Sequence, residues 1–193
     1  MIKRIFDIVF SVLGLVFTGW IIIIFIIITT VDTGQSGIYT QIRIGKNGKR
    51  FRIYKLRTLK PDSSGNFKVS ALGNFLRKSK IDELPQLYNI IINNMSFVGP
   101  RPDIPGYYDR LEGNDRILLE LKPGITGPAS IKYSDEEKLL LSKENPEKYN
   151  DEVVFPDKVR INLKYHQHWS FALDLKIILY TILRKKLKEN YFN

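Results

Sequence analysis

From Ile8 to Val31 the chain carries no charged side chain, and no other stretch restricts the fold as strongly. Roughly 20 apolar residues suffice for a helix to cross a hydrocarbon core. A core helix that is apolar on all sides belongs to proteins much larger than 193 residues. A signal peptide is a poor match, because the run is too long and Thr29-Thr30-Val31-Asp32 offers no small-residue cleavage site. The expectation is therefore a membrane segment. Lys3 and Arg4 precede it, and a basic stretch from Arg43 to Lys60 follows it. Such flanks are retained in the cytoplasm, so both ends are expected on one side. A straight span cannot satisfy that, whereas a helix that dips in and bends back does. Thr18-Gly19, near the middle, permits a bend through weak helix propensity and a hydroxyl that bonds to the backbone. No proline compels it.

Charge supports the same reading. Residues 1–60 contain ten Lys or Arg and two acids, so +8 of the net +10 lies there. A basic block that brackets an apolar run points to an anionic membrane surface before nucleic acid. There is no cysteine, which excludes disulfides, a thiolate nucleophile and cysteine metal sites.

After a turn at Gly34–Gly37, Ile38–Ile44 and Phe51–Thr58 read as alternating strands joined by Gly45-Lys46-Asn47-Gly48-Lys49, an Asn-Gly hairpin signal. The second strand carries Arg52, Lys55 and Arg57, a basic surface better suited to phosphate of a lipid or nucleotide than to RNA. Residues 60–70 read as a polar loop. Leu72, Phe75, Leu76 and Ser79 have the spacing of a short helix.

That helix delivers the chain to Lys80-Ile81-Asp82-Glu83-Leu84-Pro85-Gln86-Leu87-Tyr88-Asn89. Leu84, Leu87, Tyr88 and Ile91 predict an amphipathic helix, with Pro85 in its first turn. Asp82 and Glu83 then stand at or just before its N-terminus, downstream of Arg77, Lys78 and Lys80. Cations and a helix N-terminus together make an anion site, so a phosphate could be held beside a carboxylate. The same acids also fit a plain N-cap and first-turn pair. This stretch alone leaves both readings open.

Met95-Ser96-Phe97-Val98-Gly99-Pro100-Arg101-Pro102 holds Arg101 between two prolines, on a stiff segment suited to gripping a phosphate or carboxylate. Residues 104–121 read as helix, Lys122–Pro128 as a Gly/Pro loop, and 133–158 as a charged stretch broken at Pro146 and Pro156. His166 and His168 look like an ordinary helix end rather than a metal pair. Phe171–Lys188 reads as a basic amphipathic helix, to lie on the bilayer or pack on the domain.

In order and spacing, Lys3-Arg4-Ile5-Phe6-Asp7, Phe51–Thr58, Asp82–Leu87, Met95–Pro102 and Pro123-Gly124-Ile125-Thr126-Gly127 together resemble the bacterial sugar transferases. These are small monotopic phosphoglycosyl transferases that start glycan assembly on polyprenyl phosphate. The resemblance is close over residues 1–130 and looser beyond. It departs in three places. Gly19-Trp20 stand where the family usually carries Ser-Pro, and Asn94 where an Asp precedes Met-Ser. Pro128-Ala129-Ser130-Ile131-Lys132 replaces a Gly-x-Ala-Gln-Val pattern, so donor-sugar selection is expected to differ.

The resemblance implies an α+β fold, mostly helical. It would have a re-entrant membrane helix-break-helix at 1–33, and a cytoplasmic catalytic domain at 34–193 with a small antiparallel hairpin or sheet and short amphipathic helices. It implies an enzyme that moves a phosphosugar from a UDP-sugar to undecaprenyl phosphate through an aspartyl-phosphosugar intermediate, releasing UMP. This would be the first membrane step of polysaccharide or glycoconjugate assembly. Asp82 would be the nucleophile, with Glu83 beside it and nearest the family's Mg2+. Lys55, Arg57, Arg77, Pro100 and Arg101 would hold phosphates. The chain would sit at the bacterial inner membrane facing the cytoplasm, in contact with membrane lipid, with no nucleic acid. The sugar, the pathway and the oligomeric state, a homodimer included, stay open. The rival reading is a non-catalytic, membrane-anchored scaffold that binds phosphate.

Overall fold

The computed structural model describes residues 1–62 and 64–185, which tertiary contacts divide into two units. The first unit comprises Met1–Arg43 and Arg50–Met95, the second Ile44–Lys49 and the chain from Ser96 onward. The membrane segment is thus packed into a larger unit.

In the first unit, helix α1 runs from Ile2 to Thr33 and ends on Gly34 in the left-handed conformation. It is long and apolar enough to cross a membrane, and only 11% of its most apolar window is buried. Asp7, Ser11, Ile22, Thr29 and Thr33 are its buried residues, recurring at whole helical turns on one face. Val9, Val16, Phe17, Trp20, Ile23 and Ile27 are exposed. Both ends are tied down. Arg4 donates to the carbonyls of Ile90 and Ile91 at 2.7 and 2.9 Å, and the Gly37 N–H donates to Thr30 Oγ1 at 2.9 Å. The middle packs as well: Ile22 clusters with Leu56 and Leu76, and Leu15, Ile81 and Leu84 close around them.

The expected break at Thr18-Gly19 does not occur, and α1 is unbroken. The Thr18 hydroxyl donates to the Gly14 carbonyl at 2.7 Å, so it is satisfied inside the helix, and no proline removes a rung of the ladder.

Strands β1 (Ile38–Ile44) and β2 (Arg50–Leu56) pair as the expected hairpin. Asn47 and Gly48 both take positive φ, and the Lys49 N–H returns to the Lys46 carbonyl. That is the turn Asn-Gly favours. The polar stretch after it is more ordered than a loop. Leu59–Pro61 (β3) and Phe67–Val69 (β4) pair antiparallel, and Asp62 Oδ1 accepts from the Ser64 and Asn66 N–H groups at the turn. Helix α2 (Ala71–Ser79) follows, capped by Ser70, whose Oγ accepts from Gly73 N–H at 2.8 Å. A 3-10 turn (Ile81–Glu83) and helix α3 (Gln86–Ile91) complete the unit.

In the second unit, β5 (Ser96–Val98) and β6 (Gly124–Thr126) pair in parallel, an addition to the antiparallel sheets expected. Three glycines make their junction feasible. A Cβ at Gly99 would meet the Lys122 carbonyl at 2.1 Å, one at Gly124 the Gly99 N at 2.2 Å, and one at Gly127 the Gly99 carbonyl at 2.2 Å. The two Gly/Pro motifs of the sequence are therefore the two halves of one backbone contact. Between them, 104–121 is not the helix its apolar spacing predicts, but two 3-10 segments, Tyr108–Arg110 and Gly113–Glu120. Gly106 and Gly113 at φ 108° and 55°, with Pro105, prevent a continuous helix. Tyr108, Leu118 and Leu119 cluster instead with Ile44 and Val159.

After α4 (Pro128–Lys132), the charged stretch 133–158 is largely helical: α5 (Glu136–Leu141), α6 (Pro146–Tyr149), a π-turn (Asn150–Val154) and the start of α7 (Phe155–Gln167). Pro146 lies in a first turn, where proline starts helices rather than breaking them, and Pro156 follows directly on the π-turn, inside a helical run that continues through it. Asp157 gathers Lys132 Nζ at 2.6 Å, Tyr133 Oη at 2.7 Å and Arg160. Helix α8 (Phe171–Ile182) packs Ile177 into the core beside Tyr165 and leaves Leu175, Leu179 and Ile182 exposed. Both expected roles for this segment have a face available. The predicted extension through Lys186, Leu187 and Lys188 lies outside the described residues.

Three substitutions test these contacts through stability. Gly99→Ala is expected to lose about 1–3 kcal/mol in denaturant unfolding, since backbone must move to admit the methyl. Gly19→Ala, with open space around its Cβ, is expected to lose nothing. Burial opposes ionisation of Asp157, but hydrogen bonds from Lys132, Tyr133 and Arg160 outweigh it and hold the carboxyl at about 2. The stabilisation is complete above the unfolded value of about 3.9 and fades as pH falls through about 2. Melting of Asp157→Asn against the parent should show a deficit at neutral pH that closes across that window.

Candidate active site

The site is built where α2 ends and α3 begins. Lys80 closes α2 in the left-handed conformation at φ 62°, which costs a side-chain-bearing residue about 1–2 kcal/mol. That reversal turns the chain directly into Ile81–Glu83. Both carboxylates are buried there, Asp82 at 7% and Glu83 at 8% exposure, and Asp82 Oδ1 has no hydrogen-bond partner. A buried, unpaired carboxylate oxygen is costly to fold around, which speaks against a plain N-cap.

The helix N-terminus contributes less than its sequence suggests. The N–H groups of Glu83, Leu84, Leu87 and Tyr88 bond to the carbonyls of Lys80, Ile81, Leu84 and Pro85. Helix α3 is also only six residues long. Binding an anion here falls to cationic side chains. Lys55 Nζ lies 3.2 Å from Glu83 Oε1. Burial lifts the Asp82 pKa above its ordinary 3.8 and the Glu83 charge lifts it further; Lys55, Lys80 and Arg77 pull downward without cancelling the rise.

Lys55 and Arg77 are thus gathered around Asp82-Glu83 as expected. Lys80 joins them, one of the three cations that the sequence places just upstream of the pair. Arg57 is placed otherwise: its Nε donates to the Ser36 carbonyl at 2.6 Å and its guanidinium lies 5.6 Å from the centre of the Tyr39 ring. Pro100 and Arg101 belong to the second unit. There the Pro100 carbonyl accepts from Gly124 N–H at 2.9 Å, and exposed Arg101 borders a small recess with Gly45, Tyr108 and Leu119.

Asn89 was not a candidate from sequence, yet it fixes the register of α3 on β2. Fully buried, it accepts from Tyr54 N–H at 3.1 Å and donates to the Arg52 carbonyl at 2.7 Å. This amide spans a strand edge immediately before Lys55 and so holds Lys55 over Glu83. An isolated Asn on a helix gives no sequence signal of such a bridge.

Among the described residues no three His, Cys, Asp or Glu side chains converge as a metal site. Mg2+ commonly takes one or two carboxylates and fills its shell with water and substrate phosphate. Glu83 beside the unpaired Asp82 Oδ1 fits that donor set. His166 and His168, at the end of α7, face Glu120 at 4.0 Å and the Lys164 carbonyl at 2.9 Å.

Because the folded-state pKa of Asp82 is raised, its ionisation opposes folding above the unfolded value. Asp82→Asn is therefore expected to melt higher than the parent at neutral pH. The difference should shrink as pH is lowered into the ordinary carboxylate range, which scanning calorimetry at several pH values would show.

The bacterial sugar transferase family model matches residues 1–187. The chain is 31% identical to a galactosyl transferase, CpsE, of Streptococcus agalactiae over 93% of its own length and 41% of that protein's. It is 32% identical to an uncharacterized sugar transferase, EpsL, of Bacillus subtilis over 98% of its length and 89% of that protein's. It is also 32% identical to the UDP-glucose:undecaprenyl-phosphate glucose-1-phosphate transferase of Klebsiella pneumoniae, over 98% of its length and 41% of that enzyme's. The chain thus spans about two fifths of the first and third relatives and most of the second. With its buried Asp82-Glu83 pair in place and a family match along nearly its whole length, the chain belongs to the bacterial sugar transferases.

Proposed function

We propose that this chain transfers a sugar 1-phosphate from a UDP-sugar to undecaprenyl phosphate through a covalent intermediate on Asp82. The observation that carries the proposal is the buried Asp82 carboxylate, with an unpaired oxygen and cations on Lys55, Arg77 and Lys80 close enough to act on its ionisation. The Klebsiella relative, named for this reaction with UDP-glucose, supports the substrate class.

In the first displacement an ionised Asp82 oxygen attacks the β-phosphorus of the UDP-sugar. The bond from that phosphorus to the bridging oxygen breaks, and UMP leaves with the bonding pair. In the second, a phosphate oxygen of undecaprenyl phosphate attacks the same phosphorus and the Asp82–phosphorus bond breaks. The products are a diphosphate-linked sugar and the free carboxylate. Splitting one displacement into two suits a nucleophile that is dry and fixed in place. Lys55 and Arg77 hold the transferring phosphate and offset charge that develops on it. Glu83 keeps Lys55 in position and would hold Mg2+ together with the diphosphate, where the ion supplies charge neutralisation for the leaving phosphate. The raised pKa of Asp82 sets the acid limb of turnover above the ordinary carboxylate range.

The acceptor is lipid-borne, and the fold agrees with catalysis at a membrane. Ile22, in the middle of α1, shares a buried cluster with Leu56 and Leu76, and Ile81 and Leu84, the residues that bracket Asp82-Glu83, pack against that same cluster. Arg4 near one end of α1 and Thr30 near the other both bond within the first unit, which supports an unbroken helix that lies along the cytoplasmic face of the inner membrane without crossing it, so that both flanks stay on that face. The exposed apolar face of α8 is assigned to lipid contact.

The test is UMP release from a panel of UDP-sugars by purified protein with undecaprenyl phosphate and Mg2+. One donor class should give release, and Asp82→Asn should lower it by at least about a thousandfold, as expected for loss of a covalent nucleophile. With labelled donor and no acceptor, the parent should retain one phosphosugar on the Asp82 peptide by mass spectrometry. Release without Asp82 would remove the covalent route. No release from any donor would favour the anchored phosphate-binding scaffold.

A further inference from the structure

Arg77 owes its position to a residue outside the candidate set. Thr58, just beyond β2, is buried, and its Oγ1 accepts from Arg77 Nε at 3.0 Å. The contact is more than one side-chain bond. The Thr58 carbonyl accepts from Ser70 N–H at 3.1 Å, immediately before α2 begins. A Cβ at Gly73 would lie 2.2 Å from that same carbonyl oxygen, so the first turn of α2 rests on the Thr58 backbone and only glycine fits. Gly73 and Arg77 are four residues apart, on one face of the helix. Arg57 N–H in turn bonds to the Gly37 carbonyl at 2.7 Å, which anchors this part of the chain to the loop after α1. Thr58 therefore holds α2 at its start through the backbone and Arg77 at its end through the side chain. Fixing Nε fixes the plane of the guanidinium, since the group is flat and its five N–H donors share one orientation.

We infer that Thr58 is a positioning residue: through Arg77 Nε it sets the guanidinium that holds the transferring phosphate beside Asp82. The inference rests on the proposed role of Arg77, so its test must separate failure of either. Thr58→Val keeps the shape and β-branching and removes the acceptor, while Thr58→Ser keeps the acceptor. The four proteins of a double-mutant cycle (parent, Thr58→Val, Arg77→Ala and both) are compared by kcat and KM for UMP release, with unfolding midpoints alongside. The same four are titrated calorimetrically with inorganic diphosphate and Mg2+, which needs no turnover.

Thr58→Val should lower kcat/KM on the order of tenfold to a hundredfold, the scale of a misplaced binding group, and Thr58→Ser should recover most of it. In the Arg77→Ala background Thr58→Val should change neither kcat/KM nor diphosphate affinity by more than about twofold, because nothing is left to position. Equal losses in both backgrounds would overturn the inference and leave Thr58 a purely structural residue. A loss in Arg77→Ala with none in Thr58→Val would also overturn it while preserving the site. If Arg77→Ala affects neither turnover nor diphosphate binding, the role of Arg77 falls and the role of Thr58 with it. If no donor is turned over, the diphosphate titrations decide by the same comparison.

Discussion

Burial of Asp82 next to Glu83 is the interaction on which the first unit depends. Two adjacent carboxylates removed from water repel each other and resist ionisation. The fold answers with positive charge from three directions: Lys55 on β2, Arg77 on α2, and Lys80 in the reversal between α2 and the 3-10 turn. The compensation is incomplete, which leaves Asp82 with a raised proton affinity and an unpaired oxygen. A wholly structural acid would be expected to have found a partner. Strain in the Lys80 backbone points the same way, since a left-handed lysine persists only where its surroundings hold it there.

Placing those cations requires buried polar contacts of a kind that loses much when broken. Asn89 ties α3 to the backbone on either side of Ile53, and Thr58 ties α2 to the exit of the same strand. Strand β2 is thus the ruler against which both helices are set, and the turn bearing the carboxylates joins the two helices. In the second unit the ruler is a close backbone contact instead. Gly99, Gly124 and Gly127 let β5 and β6 approach, and Pro100-Arg101 follow from that junction.

How much of this was legible depended on whether the signal was local. The apolar run, the Asn-Gly hairpin, the short helix before Lys80 and the acids after it were all readable, because each rests on periodicity or on the φ preference of one or two residues. The helix expected over 104–121 failed because Tyr107, Tyr108 and Leu111 have helical spacing while Gly106 and Gly113 have turn geometry. The expected break in α1 failed for the opposite reason. Thr18-Gly19 only permits a break, and packing of Ile22 and Leu15 on the domain favours continuity. Pro146 and Pro156 have the look of interruptions in sequence, but the first opens a helix and the second follows a π-turn within one.

The sequence by itself determined the membrane helix, the hairpin, the carboxylate pair and, through five linked motifs, the family. These are properties of neighbouring residues or of motif order, and they survive without knowledge of packing. Only the tertiary structure decided which cations reach Asp82, that Arg57 turns instead to Ser36 and Tyr39, and that Asn89 and Thr58 hold the frame. Lys55 and Arg57 stand two residues apart in sequence and meet different partners. The reason is physical: charge acts through distance and burial, and both are set by contacts between segments far apart in the chain.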